Sequence, residues 1–385
     1  MKITAAVTTA KGAPWNMEEL ELVDPRADEV LVRIIATGMC QTDLHVRDQH
    51  YPVPLPLVLG HEGAGIVERV GGAVHKVRAG DHVVLTFPSC GHCDNCARGA
   101  PSYCFHAYEA SFGGSRLDGS STLRRHGTQA HVHAAFFQQS SFATYALAGE
   151  RNVVKVRKDA PLELLGPLGC GIQTGAGAVI NTLRPSAGSS IAVFGTGAVG
   201  ISALMAAKVV GCTTIIAIDV NEERLALARE LGATDVINSK HADTAGALKG
   251  LVAAGLDYSL DTTGRPELLR VAVEALKPLG VCGLIGGAPA GTDAPLDMTN
   301  LLFGRTVRGI VQGDSVPDVF IPQLVDLFIA DRFPFDRLVR FYGFDSINDA
   351  AEDTRSGVTI KPILRMSGGV AQIDAPRLEI QGEVP

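Results

Sequence analysis

Hydrophobic and polar positions follow two rhythms along this chain. As far as about residue 170, short apolar or β-branched runs are cut by Gly, Pro and Asp. Thr4–Thr8, Glu29–Ala36, Gly65–Val70 and His82–Thr86 are such runs, and each reads as a strand. Many short strands without long helices between them predict a partly open β-barrel or sandwich. Near residue 172 the rhythm changes. Ile191–Phe194 reads as a buried strand, Ala198–Val210 as an apolar helix and Thr213–Val220 as a second strand. Asn221–Leu231 predicts a helix with Leu225, Ala228 and Leu231 on one face and Asn221 as its N-cap. Strands recur at Asp235–Asn238, Tyr258–Thr262 and Val281–Ile285, with helical segments between them. That alternation builds a parallel sheet covered on both faces. Beyond about residue 313 it fades. A last strand, Thr359–Leu364, is expected to pack back onto the first unit, and Ser367–Pro385 reads as a mobile tail. The expected organisation is one unit from 1–171 with 313–385, and a second from 172–312.

Composition narrows the class. The chain has 385 residues, 46% hydrophobic and 19% charged, with 43 glycines and a net charge of −7. The length allows two domains with sizeable cores. No basic block provides a footprint for nucleic acid. No apolar run approaches the roughly 20 residues that span a bilayer, so no membrane association is expected. The first residues lack the apolar stretch of a secretory signal, and a cytoplasmic location is expected. Thiols stay reduced there, so the eight cysteines need a reason other than disulfides.

Gly195-Thr196-Gly197-Ala198-Val199-Gly200 fits G-x-G-x-x-G. Alone the pattern is weak, but here it follows a hydrophobic strand and opens a helix, as a dinucleotide site requires. Gly195, Gly197 and Gly200 permit the turn and the approach of a pyrophosphate to the helix N-terminus, with Val199 in the first helical turn. Asp219 ends the next strand, 19 residues after Gly200. A carboxylate there accepts from ribose hydroxyls and repels a 2′-phosphate, which favours NAD over NADP.

Cys90, Cys93, Cys96 and Cys104 form C-x2-C-x2-C-x7-C. Four thiolates so close can close a tetrahedral shell around zinc, with every position filled by protein, as in a structural site. Iron is the rival metal. A zinc ribbon for nucleic acid is disfavoured by the acidic chain and the lack of interleaved basic and aromatic residues. Three further residues, Cys40, His61 and Cys170, are too far apart for spacing to join them. Taken singly, each reads as a buried core residue.

Taken together, CQTDLH, GHEGAG, the four-cysteine segment, LGCGIQTGAGAV, GTGAVG and KPILR resemble the zinc-containing medium-chain alcohol dehydrogenases in order and separation, over nearly the whole chain. DQHYPVPLPLVLGHEGAG, SSFATYALAGERNVVKV and PLELLGPLGCGIQTGAG are most similar to the aryl (benzyl) alcohol dehydrogenases. The resemblance implies an α/β fold: a doubly wound Rossmann sheet plus a GroES-like β-barrel catalytic domain with a zinc lobe. It implies two zinc ions, one structural and one catalytic, and a homodimer or homotetramer.

By that resemblance Cys40, His61 and Cys170 hold the catalytic zinc and leave its fourth position open, an arrangement for which alcohol dehydrogenase is itself the standard illustration. Asp43 would fix the His61 tautomer. Glu62 would approach the metal from behind, either as a transient ligand or as a partner of the ligands. Thr42 and then His45 would carry the substrate proton to solvent. Thr174 would contact the nicotinamide, Arg365 the pyrophosphate and Arg224 the adenosine ribose. Gln41 stands where relatives often carry Arg or His against the pyrophosphate, and should weaken cofactor binding. Tyr51, Phe142, Gly287 and Val311 fall at substrate-pocket positions, with Thr86 and Phe87 nearby. Aromatic walls with a glycine that opens space suit a benzyl-type alcohol, and allylic monoterpene alcohols nearly as well. A glutathione-adduct (formaldehyde-type) dehydrogenase is a rival enzyme, and a non-catalytic protein on the same fold a rival of another class. The stretch from Ala107 to Gln139 matches the family loosely and reads as a surface or subunit-contact insertion, with His131 and His133 as surface residues and not a third metal site.

Overall fold

A computed structural model of the protein describes residues 1–125 and 131–366; the expected tail lies outside the described residues. Six parallel strands form one sheet, in the spatial order Asp235–Asn238, Thr214–Asp219, Ser190–Phe194, Leu256–Asp261, Leu276–Leu284, Thr306–Gly309. Numbered along the chain this order is 3-2-1-4-5-6, the doubly wound arrangement whose crevice opens beside the first strand. Side chains alternate across a strand, so Ile191 and Val193 join the core on one face while Ala192 and Phe194 join the other. Both faces are covered, which is why the strand is apolar throughout.

The remaining strands form two further sheets, antiparallel except that Val339–Gly343 runs parallel to Lys361–Arg365 at one edge. Glu29–Gly38 is central to the larger one, pairing with Glu62–Val70 and with Tyr145–Gly149. Lys361–Arg365 runs antiparallel to its end, with Ile363 opposite Gly38, so the C-terminal segment rejoins the first unit. This strand delivers its first residue, Lys361, to the loop at Cys40. The smaller sheet contains Asn16–Leu22, which the pattern did not predict. That segment is rich in glutamate, yet Leu20 and Leu22 alternate inward and are buried. Leu276–Leu284 begins earlier than expected because Leu276 already pairs with Leu256; the ladder then bulges over Lys277-Pro278-Leu279-Gly280, with Leu279 at φ +66°, and resumes at Val281 opposite Tyr258.

Candidate active site

The chain from Cys40 to His61 is organised by one carboxylate. Cys40 caps the helix Gln41–Arg47. Asp43, in the first turn of that helix, is fully buried, and its Oδ2 accepts the Cys40 N–H (2.9 Å). Its Oδ1 accepts the Gly60 N–H (3.1 Å) and lies 3.0 Å from His61 Nδ1. Gly60, at φ +90°, has no room for a side chain because a Cβ would fall on the Phe142 backbone. The imidazole is therefore held with Nε2 outward. That nitrogen is buried and has no hydrogen-bond partner.

Cys170 arrives from the other side, at the start of the helix Gly171–Gly177. A buried polar clamp holds its loop. Thr86 donates to the Gly169 carbonyl (2.9 Å), and the Gln173 amide donates to Thr86 (2.9 Å) and to the same carbonyl (2.6 Å). The ligand atoms of Cys40, His61, Glu62 and Cys170 all lie within 4.8 Å of one another. Two thiols, an imidazole with an orphaned nitrogen and a carboxylate at that spacing fit zinc.

Glu62 does not stand alone behind this group. Lys361 donates to both its oxygens (2.9 and 3.0 Å) and to the Met39 carbonyl (3.2 Å). Both side chains are buried. Burial works against the ammonium, but the Glu62 carboxylate and Cys40 hold Lys361 above the ordinary lysine range. The basic residue beside these ligands is thus Lys361. Arg365 lies at the far end of the same strand, half-exposed, paired with Glu163 (2.8 Å) and stacked on Phe341. Lys361 opens the strand, directly before the buried Pro362-Ile363-Leu364 run, which is the sequence signal for a buried, paired cation.

Thr42 Oγ1 is 3.8 Å from Cys40 Sγ. His45, one turn on, packs its ring against His50 and Tyr51, at 5.5 Å each. Burial, then His50, holds His45 below the usual histidine value of 6.5. Thr174 donates to the Cys170 carbonyl (2.8 Å) and lies 3.3 Å from Gln312 Oε1. Gln41 is exposed at the first position of its helix.

The segment expected to be a surface insertion instead builds a wall of the site. Phe137 stacks on His61 at 4.5 Å, Phe136 meets it edge-on at 5.4 Å, and Phe112 packs on both phenylalanines. Gln139 bridges the His61 carbonyl (3.0 Å) and the Gly63 N–H (3.2 Å). Phe142 is not part of that wall. It is wholly buried in the barrel, edge-on to Trp15. Tyr51 does join it, against Phe112. Its hydroxyl stands 2.8 Å from where a Gly287 Cβ would be, so Gly287 makes room for Tyr51 itself. Val311 is half-exposed beside Tyr103, and the side chain of that turn that reaches the metal ligands is Gln312, 3.9 Å from Cys170 Sγ. His131 is exposed and His133 half-buried. Neither belongs to a metal-ligating group among the described residues.

Two further clusters bear on function. Sγ atoms of Cys90, Cys93, Cys96 and Cys104 cluster within 4.8 Å, with Cys90–Cys96 and Cys93–Cys104 both at 4.0 Å. Tetrahedral zinc with bonds of about 2.3 Å needs sulfurs roughly 3.8 Å apart, so the lobe fits zinc with little adjustment. At the parallel sheet, Gly195 turns at φ +92° and Gly197 caps the helix Ala198–Val209. A Cβ at Gly200 would fall on the Gly195 carbonyl, whereas one at Gly197 would meet open space. That open N-terminus is where a pyrophosphate fits. Asp219 ends the neighbouring strand, with Asn221 capping the next helix as expected. Arg224, in that helix, reaches the Gly357 carbonyl (3.4 Å).

Residues 26–158 match the alcohol dehydrogenase GroES-like domain and residues 198–329 the zinc-binding dehydrogenase domain. The chain is 48% identical over 364 residues to a geraniol dehydrogenase of Castellaniella defragrans, covering 94% of this chain and 96% of that one. Its structure is similar to the benzyl alcohol dehydrogenase of Acinetobacter calcoaceticus, with 51% identity, a TM-score of 0.92, and 95% and 100% of the two chains covered. It is also similar to an alcohol dehydrogenase zinc-binding domain protein of Burkholderia ambifaria, with 57% identity, a TM-score of 0.93, and 95% and 99% coverage. With a GroES-like unit, a doubly wound sheet and two clusters of zinc-type ligands, the chain belongs to the zinc-dependent medium-chain alcohol dehydrogenases.

Proposed function

We propose that this enzyme oxidises a primary aromatic or allylic alcohol to the aldehyde, reversibly, with NAD as hydride acceptor and two zinc ions per chain. The observation that carries the reading is the aromatic wall of Phe112, Phe136, Phe137 and Tyr51 packed around His61 and His45. Flat apolar rings suit a planar or unsaturated substrate. Benzyl-type alcohols lead. The likeness to a geraniol dehydrogenase at 48% identity supports an allylic monoterpene alcohol as the second reading. A glutathione adduct is less well served, because that wall consists of phenyl, phenol and imidazole rings.

When bound, zinc supplies a Lewis acid that makes a hydroxyl more acidic, and the nicotinamide supplies a hydride acceptor. Cys40, His61 and Cys170 would hold the metal, with Asp43 fixing the imidazole from behind. Lys361 neutralises Glu62, so the carboxylate can lie beside two thiolates at lower repulsion. Phe137, stacked on His61, excludes water from one side. Thr42 takes the substrate proton and His45 passes it outward, a task suited to a histidine kept neutral by burial. The Gly197 end of the helix receives the pyrophosphate, Asp219 and Arg224 the adenosine ribose, and Thr174 the nicotinamide side.

The unit boundaries proposed are 1–171 with 313–385 for catalysis, and 172–312 for the cofactor. Free cysteines support a reducing, cytoplasmic setting, and no helix of the described residues is long and apolar enough to cross a membrane. A homodimer or homotetramer is supported by Leu279, Met298, Leu302 and Phe303, all exposed near the edge strand Thr306–Gly309.

A panel of benzyl alcohol, geraniol and S-hydroxymethylglutathione with NAD and NADP tests the reading, together with metal analysis. Benzyl alcohol with NAD should give the highest kcat/KM. Preference for the glutathione adduct, or for NADP, would overturn it.

A further inference from the structure

The carboxylate of Asp219 is satisfied before any ligand arrives. Its Oδ1 accepts the backbone N–H groups of Val220 (2.7 Å) and Asn221 (3.0 Å). Its Oδ2 accepts both the N–H (2.6 Å) and the hydroxyl (2.7 Å) of Thr196. A carboxylate has about four lone-pair positions, and here the chain itself fills them. Three of the donors are amides fixed by the backbone of two turns. The fourth, the Thr196 hydroxyl, is the only one of the four that can rotate away.

We infer that the Thr196 hydroxyl is a placeholder for a ribose hydroxyl, and that Thr196 is a positioning residue that keeps cofactor affinity low. The inference rests on the NAD reading above. A diol that binds Asp219 must take the position now held by Thr196. The exchange replaces one O–H···O⁻ bond by another, so little is gained from the contact itself. The displaced hydroxyl is then left in a fully buried side chain, and an unsatisfied buried donor is costly. Water would be an easier competitor to remove, since Asp219 is half-buried and within its reach. Thr196 thus taxes binding, in the same direction as the neutral Gln41 expected beside the pyrophosphate. Release is thereby favoured, which matters where product release limits turnover.

The alternative is that the hydroxyl only braces Asp219, in which case its loss would weaken binding. The two differ in sign. Thr196→Val keeps the shape without the hydroxyl, Thr196→Ala does so with less bulk, and Thr196→Ser retains the hydroxyl. Calorimetric titration with ADP-ribose reads the adenosine end without any turnover. Thr196→Val and Thr196→Ala should bind ADP-ribose about tenfold more tightly than the wild type. Thr196→Ser should match the wild type. Unchanged or weaker affinity in the Val and Ala variants, with circular dichroism like the wild type, would overturn the placeholder role and leave the NAD reading intact. Failure of the wild type to bind ADP-ribose would remove both.

Discussion

The two zinc-type sites differ in how the chain makes them. The four cysteines of the lobe lie between positions 90 and 104, three of them half-exposed, and neighbouring N–H groups at Cys90 and Cys93 donate to their sulfurs. The open site takes Cys40, His61 and Cys170 from three separate elements, and its ligands are tied down by Asp43, Thr86 and Gln173, all fully buried. A short loop can close a full shell by itself. An open shell needs a rigid frame, because a ligand set free to collapse would occupy the position that substrate requires. Stability is the natural task of the first site and chemistry that of the second.

The sharpest break of this contrast comes from single ligands. Cys170→Ser should abolish activity and leave one zinc per chain, with little change in melting temperature. Cys93→Ser should also leave one zinc, but lower the melting temperature, with residual activity at low temperature. Metal analysis beside a thermal melt checks both. If the two variants behave alike, the division of labour is wrong.

A smaller effect comes from the frame. Asp43→Asn should reduce zinc affinity or activity by about 10–100-fold, measured by competition with a chelator. Its carboxylate also holds the Cys40 and Gly60 amides, so a null result would show that the backbone alone positions His61.

Next in size is Gln41→Arg, which adds a charge at the exposed start of its helix. NADH should bind roughly tenfold more tightly and turnover should fall if release limits it. Fluorescence titration of NADH decides this, and unchanged affinity removes the assignment.

The smallest effect is in pH dependence. Burial lowers the pKa of His45 below 6.5, so the neutral, proton-accepting form persists as pH falls past that value. Oxidation kcat/KM should therefore hold near pH 6.5 and decline only at lower pH. His45→Gln should lower the rate above that decline and flatten it. A wild-type decline centred above 6.5 would contradict the burial argument.

Much of this was legible along the chain. The glycine-rich turn was legible because strand, turn and helix are adjacent, so Gly195 to Asp219 form one continuous unit. The clustering of the four cysteines was legible for the same reason. Asp43 was within reach too, since the first-turn position of a capped helix returns its carboxylate to the cap. What was not legible lies where contact is distant in sequence. Lys361 meets Glu62 only because the last strand is laid against Glu29–Gly38. Phe136 and Phe137 come from a stretch with little family likeness, and nothing in its pattern directs them to His61. Phe142 falls at a pocket position by resemblance, yet the bend before Tyr145–Gly149 packs it into the barrel against Trp15.

Composition, periodicity and short motifs by themselves determined the two-unit plan, the dinucleotide turn and the sulfur-rich lobe, because each is a property of neighbours along the backbone. Tertiary structure alone decided which residues gather with Cys40, His61 and Cys170, which cation neutralises Glu62 and which rings pack against His61. Those depend on the register and crossing of strands far apart in the chain, where a shift of one residue turns a side chain to the opposite face.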